Sequence, residues 1–445
     1  MPSVAQAVLT SWSFPPWITA LNLLATLLYI RGWSALHRAM PGRFTVYRLV
    51  SLVGGVATLE VALASPIDAF DPFLLTDHML QHMLLMMIVP PLVLLSDPVI
   101  PLLHGLPRWA TRNVVGPFLR SRVISSFGRL LTYPPISLLL VSAAMIGWHL
   151  PAPYELALRS PGWHEVEHAS FLVSSLIFWW PVVQPWPSRP RWNPWMLPVY
   201  LLLADFVNSA LSAFLAFSDR VFYPSYLAMP RLGGISAQND QVAAGAIMWV
   251  IGSFAFLIPA AAITVRLLSP APPRVERQLR PPLPESRILS SSLLAMALIL
   301  PLAAVGYGLL ATEKLDTDGD VVRMQGVSGP FHISVFTAPD PVPIGEFEVA
   351  VLIQDQDTSA AVLDGAVEIT VQPPDGQNPN PTIVKATRER AANHLLEAAS
   401  IDLPSAGTWE LNVLVHRGEG HGSIACKVEV ARVTKVRGGE VALGY

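Results

Sequence analysis

Two hydrophobic rhythms divide the chain. Up to about residue 311 the apolar positions come in long unbroken runs, each near the roughly 20 residues that a helix needs to cross hydrocarbon. They cover residues 17–33, 46–64, a run that starts at His78 and ends near Leu95, then 135–150, 168–183, 196–217, 242–268 and 288–311. This predicts about eight membrane-spanning helices. Beyond Thr312 apolar and polar residues alternate between turn signals, at 331–336, 347–353, 366–371 and 409–415. Period-two segments at such spacing predict a small immunoglobulin-like β-sandwich. The expected fold class is therefore an all-α polytopic membrane bundle over 1–311, with an all-β sandwich over 312–445. A stretch rich in proline and arginine, residues 271–285, reads as an extended cytoplasmic linker within about 270–287, before the last span at 288–311.

Composition narrows the class. With 52% hydrophobic and 14% charged residues and a mean hydropathy of +0.45, the chain is too apolar for an ordinary soluble protein, and the lipid bilayer is its first partner. A net charge of −3 gives no basic patch, so nucleic acid is not an expected partner. One cysteine, Cys426, leaves no disulfide framework and no thiolate cluster for zinc or iron–sulfur. The N-terminus lacks the basic segment of a cleavable signal peptide, which predicts a retained first span. Arginines around the spans alternate strongly, sixteen on one side against three on the other. Basic residues concentrate on the cytoplasmic side, so both termini and the sandwich are expected outside the cytoplasm.

This orientation gives the polar residues a depth. His78 and His82 lie four apart and so share a helix face; they open the third span at its outer end. His149 closes the fourth span there, and His164 and His168, again four apart, open the fifth. Five of the seven histidines in the membrane portion thus gather at one face of the bilayer; His37 and His104 do not. Imidazoles beside Met79, Met83, Met86 and Met145 suit copper, as Cu(I) or Cu(II), although methionines at helical spacing also simply fill cores. Pro90 and Pro91 predict a kink below the first pair. Carboxylates at membrane depth, Glu60, Glu167, Asp205 and Asp240, are expected to ligate metal or to orient the histidines. For Asp205, with Asn208, Ser209 and Ser212, an interhelical hydrogen-bond stripe is an equal alternative.

Three further features have competing readings. His164 to His168 reads HEVEH, which fits the zinc-protease pattern with Glu165 as general base, but so short a pattern matches readily by chance. Cys426 alternates with Ile424, Val428 and Val430, the pattern of a core residue. His416 and His421, among glycines, suggest a flexible loop able to catch copper.

The strings HMLQHMLLMMIVPPLVLLSDP, WHLPAPYELAL, HEVEHASFLVSSLIFWWP and DQVAAGAIMWV, in this order, resemble the CtaG-type cytochrome c oxidase assembly factors over roughly residues 17–268. The resemblance implies a bacterial plasma-membrane protein, not an enzyme, that works with cytochrome c oxidase subunits and delivers copper to them. Copper chaperones outside the cytoplasm are further implied partners. By position His78, His82, His149, His164 and His168 match the family's histidines, Glu167 its glutamate and Asp240 its aspartate. Segments 337–347 and 407–411 resemble the extracytoplasmic β-domains of FixH and YtkA proteins. Two rivals stay open: a b-type haem protein for membrane electron transfer, in which facing histidines ligate haem axially, and a copper transporter.

Overall fold

The computed structural model describes residues 11–188, 190, 192–269, 321–373, 381–434 and 442–444. The expected linker at 271–285 and the eighth span at 288–311 lie outside the described residues.

The remaining seven runs all form helices: α1 (Pro16–Ala39), α2 (Val46–Ala64), α3 (Leu75–Leu95), α4 (Pro134–Trp148), α5 (Pro161–Val183), α6 (Met196–Ala216) and α7 (Ala237–Leu268). Five of them, α2, α3, α5, α6 and α7, are long and apolar enough to cross a membrane. A sixth span counts if α4 is joined to the short helix Arg122–Leu131, from which it bends by 68°. Among the described residues, eight spans are thus not reached. The described part is a membrane-type bundle, with Leu23, Val50, Phe206 and Phe254 among many large apolar side chains on its outside.

Helix α3 departs from a plain α-helix where its sequence requires it. Residues Leu84–Ile88 form a π-turn, with the amide of Val89 donating to the carbonyl of Leu84. Pro90 and Pro91 follow, and neither offers an N–H. The Met86 carbonyl, which Pro90 cannot serve, instead accepts from the Trp179 indole of α5 at 3.0 Å. The helix is thus irregular below the histidine pair, through a π-turn just ahead of the prolines, and the indole bond ties α3 to α5.

Helices α6 and α7 pack closely because glycines face the contact. A Cβ on Gly245 would stand 2.8 Å from the Ala216 amide nitrogen, and one on Gly252 would collide with Asn208. Asn208 donates to the Met248 carbonyl at 3.3 Å, and Asp205 accepts from Ser253 at 3.0 Å. These two residues therefore belong to the stripe that joins the helices.

Among the described residues the sandwich has ten strands: β1 (Val321–Ser328), β2 (Phe331–Ala338), β3 (Val342–Pro343), β4 (Gly345–Asp355), β5 (Ala366–Gln372), β6 (Thr382–Ala386), β7 (Glu397–Leu403), β8 (Gly407–Arg417), β9 (Gly420–Thr434) and β10 (Ala442–Gly444). One sheet runs β1-β2-β4-β7 and the other β10-β9-β8-β5-β6, with β3 paired to β9. Their facing sides form the core, which includes Ile333, Val351, Ile369, Leu411 and Cys426. Burial pushes the Cys426 thiol up to about 11, consistent with the expected core role.

The first sheet is covered on both sides. Phe336, Ala350, Leu352 and Ala398 point away from the sandwich core and pack with Ala69, Phe73 and Leu232 of the helical part. Hydrogen bonds rim this contact: Asn393 to the Ala69 carbonyl at 2.7 Å, Gln325 to that of Ala228 at 2.8 Å, and Gln354 to that of Arg231 at 3.1 Å. The sandwich is thus seated on the loops just before α3 and α7.

Candidate metal centre

The centre lies directly beneath that seat. Helix α3 begins after the extended residue Leu74, and its first amides need acceptors from elsewhere. Asp240, in the first turn of α7, provides them: it accepts from the Leu75 amide at 2.8 Å, the Thr76 amide at 3.0 Å and the Thr76 hydroxyl at 2.6 Å. This fixes the height at which His78 and His82 stand. Asp240 therefore supports the site from the helix end rather than through an imidazole.

Helices α3 and α5 face each other with one histidine pair each. The rings of His78 and His82 lie 4.3 Å apart and those of His164 and His168 4.1 Å apart. Across the helices His78 is 5.4 Å from His164, and His82 is 5.4 Å from His168. Glu167 enters this box, with Oε1 3.9 Å from His78 Nε2 and 3.8 Å from His82 Nε2. One donor atom from each of His78, His82, His164 and Glu167 falls within 4.8 Å of all the others.

The surroundings fix two tautomers. His78 Nδ1 is bonded to the Asp71 carboxylate, which leaves the lone pair on Nε2, the nitrogen near Glu167. Asp71 also brings its second oxygen to 3.4 Å from His164 Nε2. His149, just past the end of α4, donates from Nδ1 to the Met145 carbonyl at 2.7 Å and likewise keeps Nε2 free. Phe171 packs on the ring of His82 at 4.6 Å and, less closely, on that of His149 at 6.5 Å.

What distinguishes the place is its unpaired polar atoms. His78 Nε2, both ring nitrogens of His82, Nε2 of His149, His164 and His168, and both oxygens of Glu167 are buried without a hydrogen-bond partner. Each such atom costs on the order of 1–3 kcal/mol when left unsatisfied. Gathering eight of them is unfavourable unless something binds there. A transition-metal ion fits: with metal–nitrogen bonds of about 2.0–2.1 Å, four donors around one ion stand about 3.3–3.4 Å apart in a tetrahedron, so a group already within 4.8 Å need close by at most about 1.5 Å.

The expected residues divide accordingly. His78, His82, His164 and Glu167 form the tight donor group; His149 and His168 border it through the same network of rings. Met79, Met83, Met86 and Met145 are buried in the helical core beside it. Glu60 is elsewhere, accepting from Asn22 at 2.7 Å and Thr19 at 3.4 Å, so it ties α2 to α1. Asp205 is engaged with Ser253 in the α6–α7 stripe. Glu165, the base a protease would need, is outside the donor group, which takes Glu167 instead. Sequence reasoning missed Asp71. Its signal was a second aspartate in the turn DAFDPF, seven residues before His78.

The family model for the cytochrome c oxidase caa3 assembly factor (Caa3_CtaG) matches residues 27–269, more than half of the chain and all of the donor group. The chain belongs to this family. Among curated relatives of this Caa3_CtaG chain, an uncharacterized protein of Mycobacterium bovis is 29% identical over 259 residues, covering 56% of this chain and 38% of its own length. One of Mycobacterium leprae is 29% identical over 248 residues, covering 54% and 37%. The matched part thus spans well under half the length of these relatives. No solved structure matches.

Proposed function

We propose that this Caa3_CtaG protein binds copper through His78, His82, His164 and Glu167, with His149 and His168 alongside, and hands it to a cytochrome c oxidase. The observation that carries the reading is the set of eight buried, unpartnered donor atoms between α3 and α5. Imidazoles and one carboxylate, with no thiolate, suit an ion that is to be passed on. In the bacterial plasma membrane, the setting that goes with the family, the arginine asymmetry supports an orientation in which the centre and the sandwich face out of the cytoplasm. The sandwich then stands where copper chaperones and the oxidase's outer domains meet the protein.

The rivals fit less well. Histidine rings packed on one another at 4.1–5.4 Å leave no slab between them for a porphyrin. A transporter needs polar groups continuing through the bilayer, and the two candidates, Asp205 and Asn208, bond to α7 through Ser253 and the Met248 carbonyl. Catalysis by HEVEH needs Glu165 at the metal, whereas Glu167 is the residue in the donor group.

The test is to replace His78 and His82 together by Ala and measure copper in the purified protein and in the oxidase of the same cells. Both should fall. Full copper in the variant would remove these residues from the centre. Copper lost from the protein with the oxidase fully loaded would end the delivery reading.

A further inference from the structure

The sandwich carries another pair of imidazoles, far in sequence from the buried centre. His416 and His421 stand opposite each other in the β8–β9 ladder, either side of a turn in which Gly418 has a φ of +57°. Their Nδ1 atoms are 2.7 Å apart and their rings 4.9 Å apart at 76°. One of these nitrogens must hold a proton for that contact to form, and among the described residues neither side chain has another hydrogen-bond partner. The expected loose loop is thus a registered hairpin with its two imidazoles touching.

Three things suit this pair to an ion. It is exposed, unlike the centre under the sandwich. It is held from behind: the Ser423 amide donates to Ser328 at 2.9 Å, and the Gly329 turn packs so closely on the His421 carbonyl that a Cβ there would collide with it. The neighbouring cation, Arg417, is drawn aside by Asp364 at 2.8 Å.

We infer that His416 and His421 chelate a divalent transition-metal ion, Cu(II) above all, on the surface of the sandwich. With metal–nitrogen bonds of about 2.0–2.1 Å, two ligands at roughly 90–110° stand about 2.9–3.4 Å apart, whereas a linear two-coordinate ion needs about 4 Å. From 2.7 Å the rings open by a few tenths of an ångström for the bent arrangement and by more than an ångström for the linear one. The bent geometry, completed by water, is that of a divalent ion rather than Cu(I). Among divalent first-row ions a nitrogen site holds Cu(II) most tightly. The inference uses none of the buried centre's residues and stands or falls separately from it.

The experiment takes the full chain, purified in detergent without a histidine tag and stripped of metal, and titrates it with copper sulfate under electron paramagnetic resonance. The expected result is a Cu(II) signal with couplings from two nitrogens, retained when His78 and His82 are both Ala to disable the buried centre, and lost when, in that same background, His416 and His421 are also both Asn. A signal unchanged by His416→Asn with His421→Asn in the His78→Ala, His82→Ala background would overturn the inference. Should that protein fail to fold, the single variants decide: each should lose the two-nitrogen pattern, and its retention in both would overturn the inference as well.

Discussion

The two ends of the helical bundle both bury charge-bearing side chains, and they treat them in opposite ways. At the end away from the sandwich, Asp97 follows α3 and is paired with Arg48 at 2.5 Å and with the Trp186 amide at 2.8 Å. Next to it, Tyr29 donates to the Ser96 carbonyl at 2.8 Å, and Arg48 also reaches the Leu95 carbonyl at 3.2 Å. At the sandwich end, Asp71 and Asp240 are likewise satisfied, but the histidines and Glu167 between them are not. Burial of polar groups is thus common to both ends and says little about function. Among the described residues, the large cluster of unsatisfied polar groups converging on one point lies at the sandwich end, and it marks where a ligand belongs.

Substitutions at the two ends should therefore cost different things. The largest effect on stability is expected from Arg48→Ala, which leaves Asp97 buried and unpaired. Breaking such a pair costs roughly 3–5 kcal/mol, toward the low end because Arg48 is partly exposed. Thermal unfolding in detergent should show the loss while bound metal is unchanged; reduced metal with unchanged stability would erase the distinction. At the other end, Asp71→Asn removes the group that orients His78, and loss of such a partner weakens metal binding by about 10 to 100-fold. Competition with a chelator measures that shift. Glu167→Gln should weaken binding at least as much, because the carboxylate is itself in the donor group. Glu165→Gln should leave both metal and oxidase activity near normal; a dead enzyme-like phenotype with full metal would instead favour hydrolysis.

The smallest effect lies in the sandwich. Burial raises the Glu397 carboxyl to about 7, against the pull of Arg388 and with the push of Glu389. A raised carboxyl holds its proton longer in the folded state than in the unfolded one, so its contribution is full below about 4.5 and is lost as pH rises through about 7. Glu397→Gln should flatten the melting temperature of the sandwich between those values. An unaltered pH profile would show that Glu397 titrates alike folded and unfolded.

Much of this arrangement was legible in the sequence. The histidine pairs four apart and the four expected strand segments recur in the structure, because helix and strand periods leave a direct imprint on apolar spacing, whereas α5 starts at Pro161, ahead of the run expected at 168–183. Other parts were not legible, for physical reasons. Asp71 reaches His78 through a turn after the short helix Pro66–Phe70, and no periodicity reports a turn's path. Glu60 has the right depth but the wrong azimuth, which only packing against α1 decides. Seating of the sandwich was half visible: residues 347–353 are apolar at nearly every position, as in a strand covered on both faces, yet they read as alternating. The hairpin partnership of His416 and His421 needed the ladder register, which the intervening glycines disguise as a loop.

The central claim is that the unpartnered atoms between α3 and α5 hold copper. It is tested most directly by metal analysis of the protein purified without chelators, read beside its visible spectrum. The account predicts bound copper that disappears in the His78→Ala, His82→Ala protein and no haem absorption. A Soret band, or a preparation whose copper is untouched by those two substitutions, would contradict it.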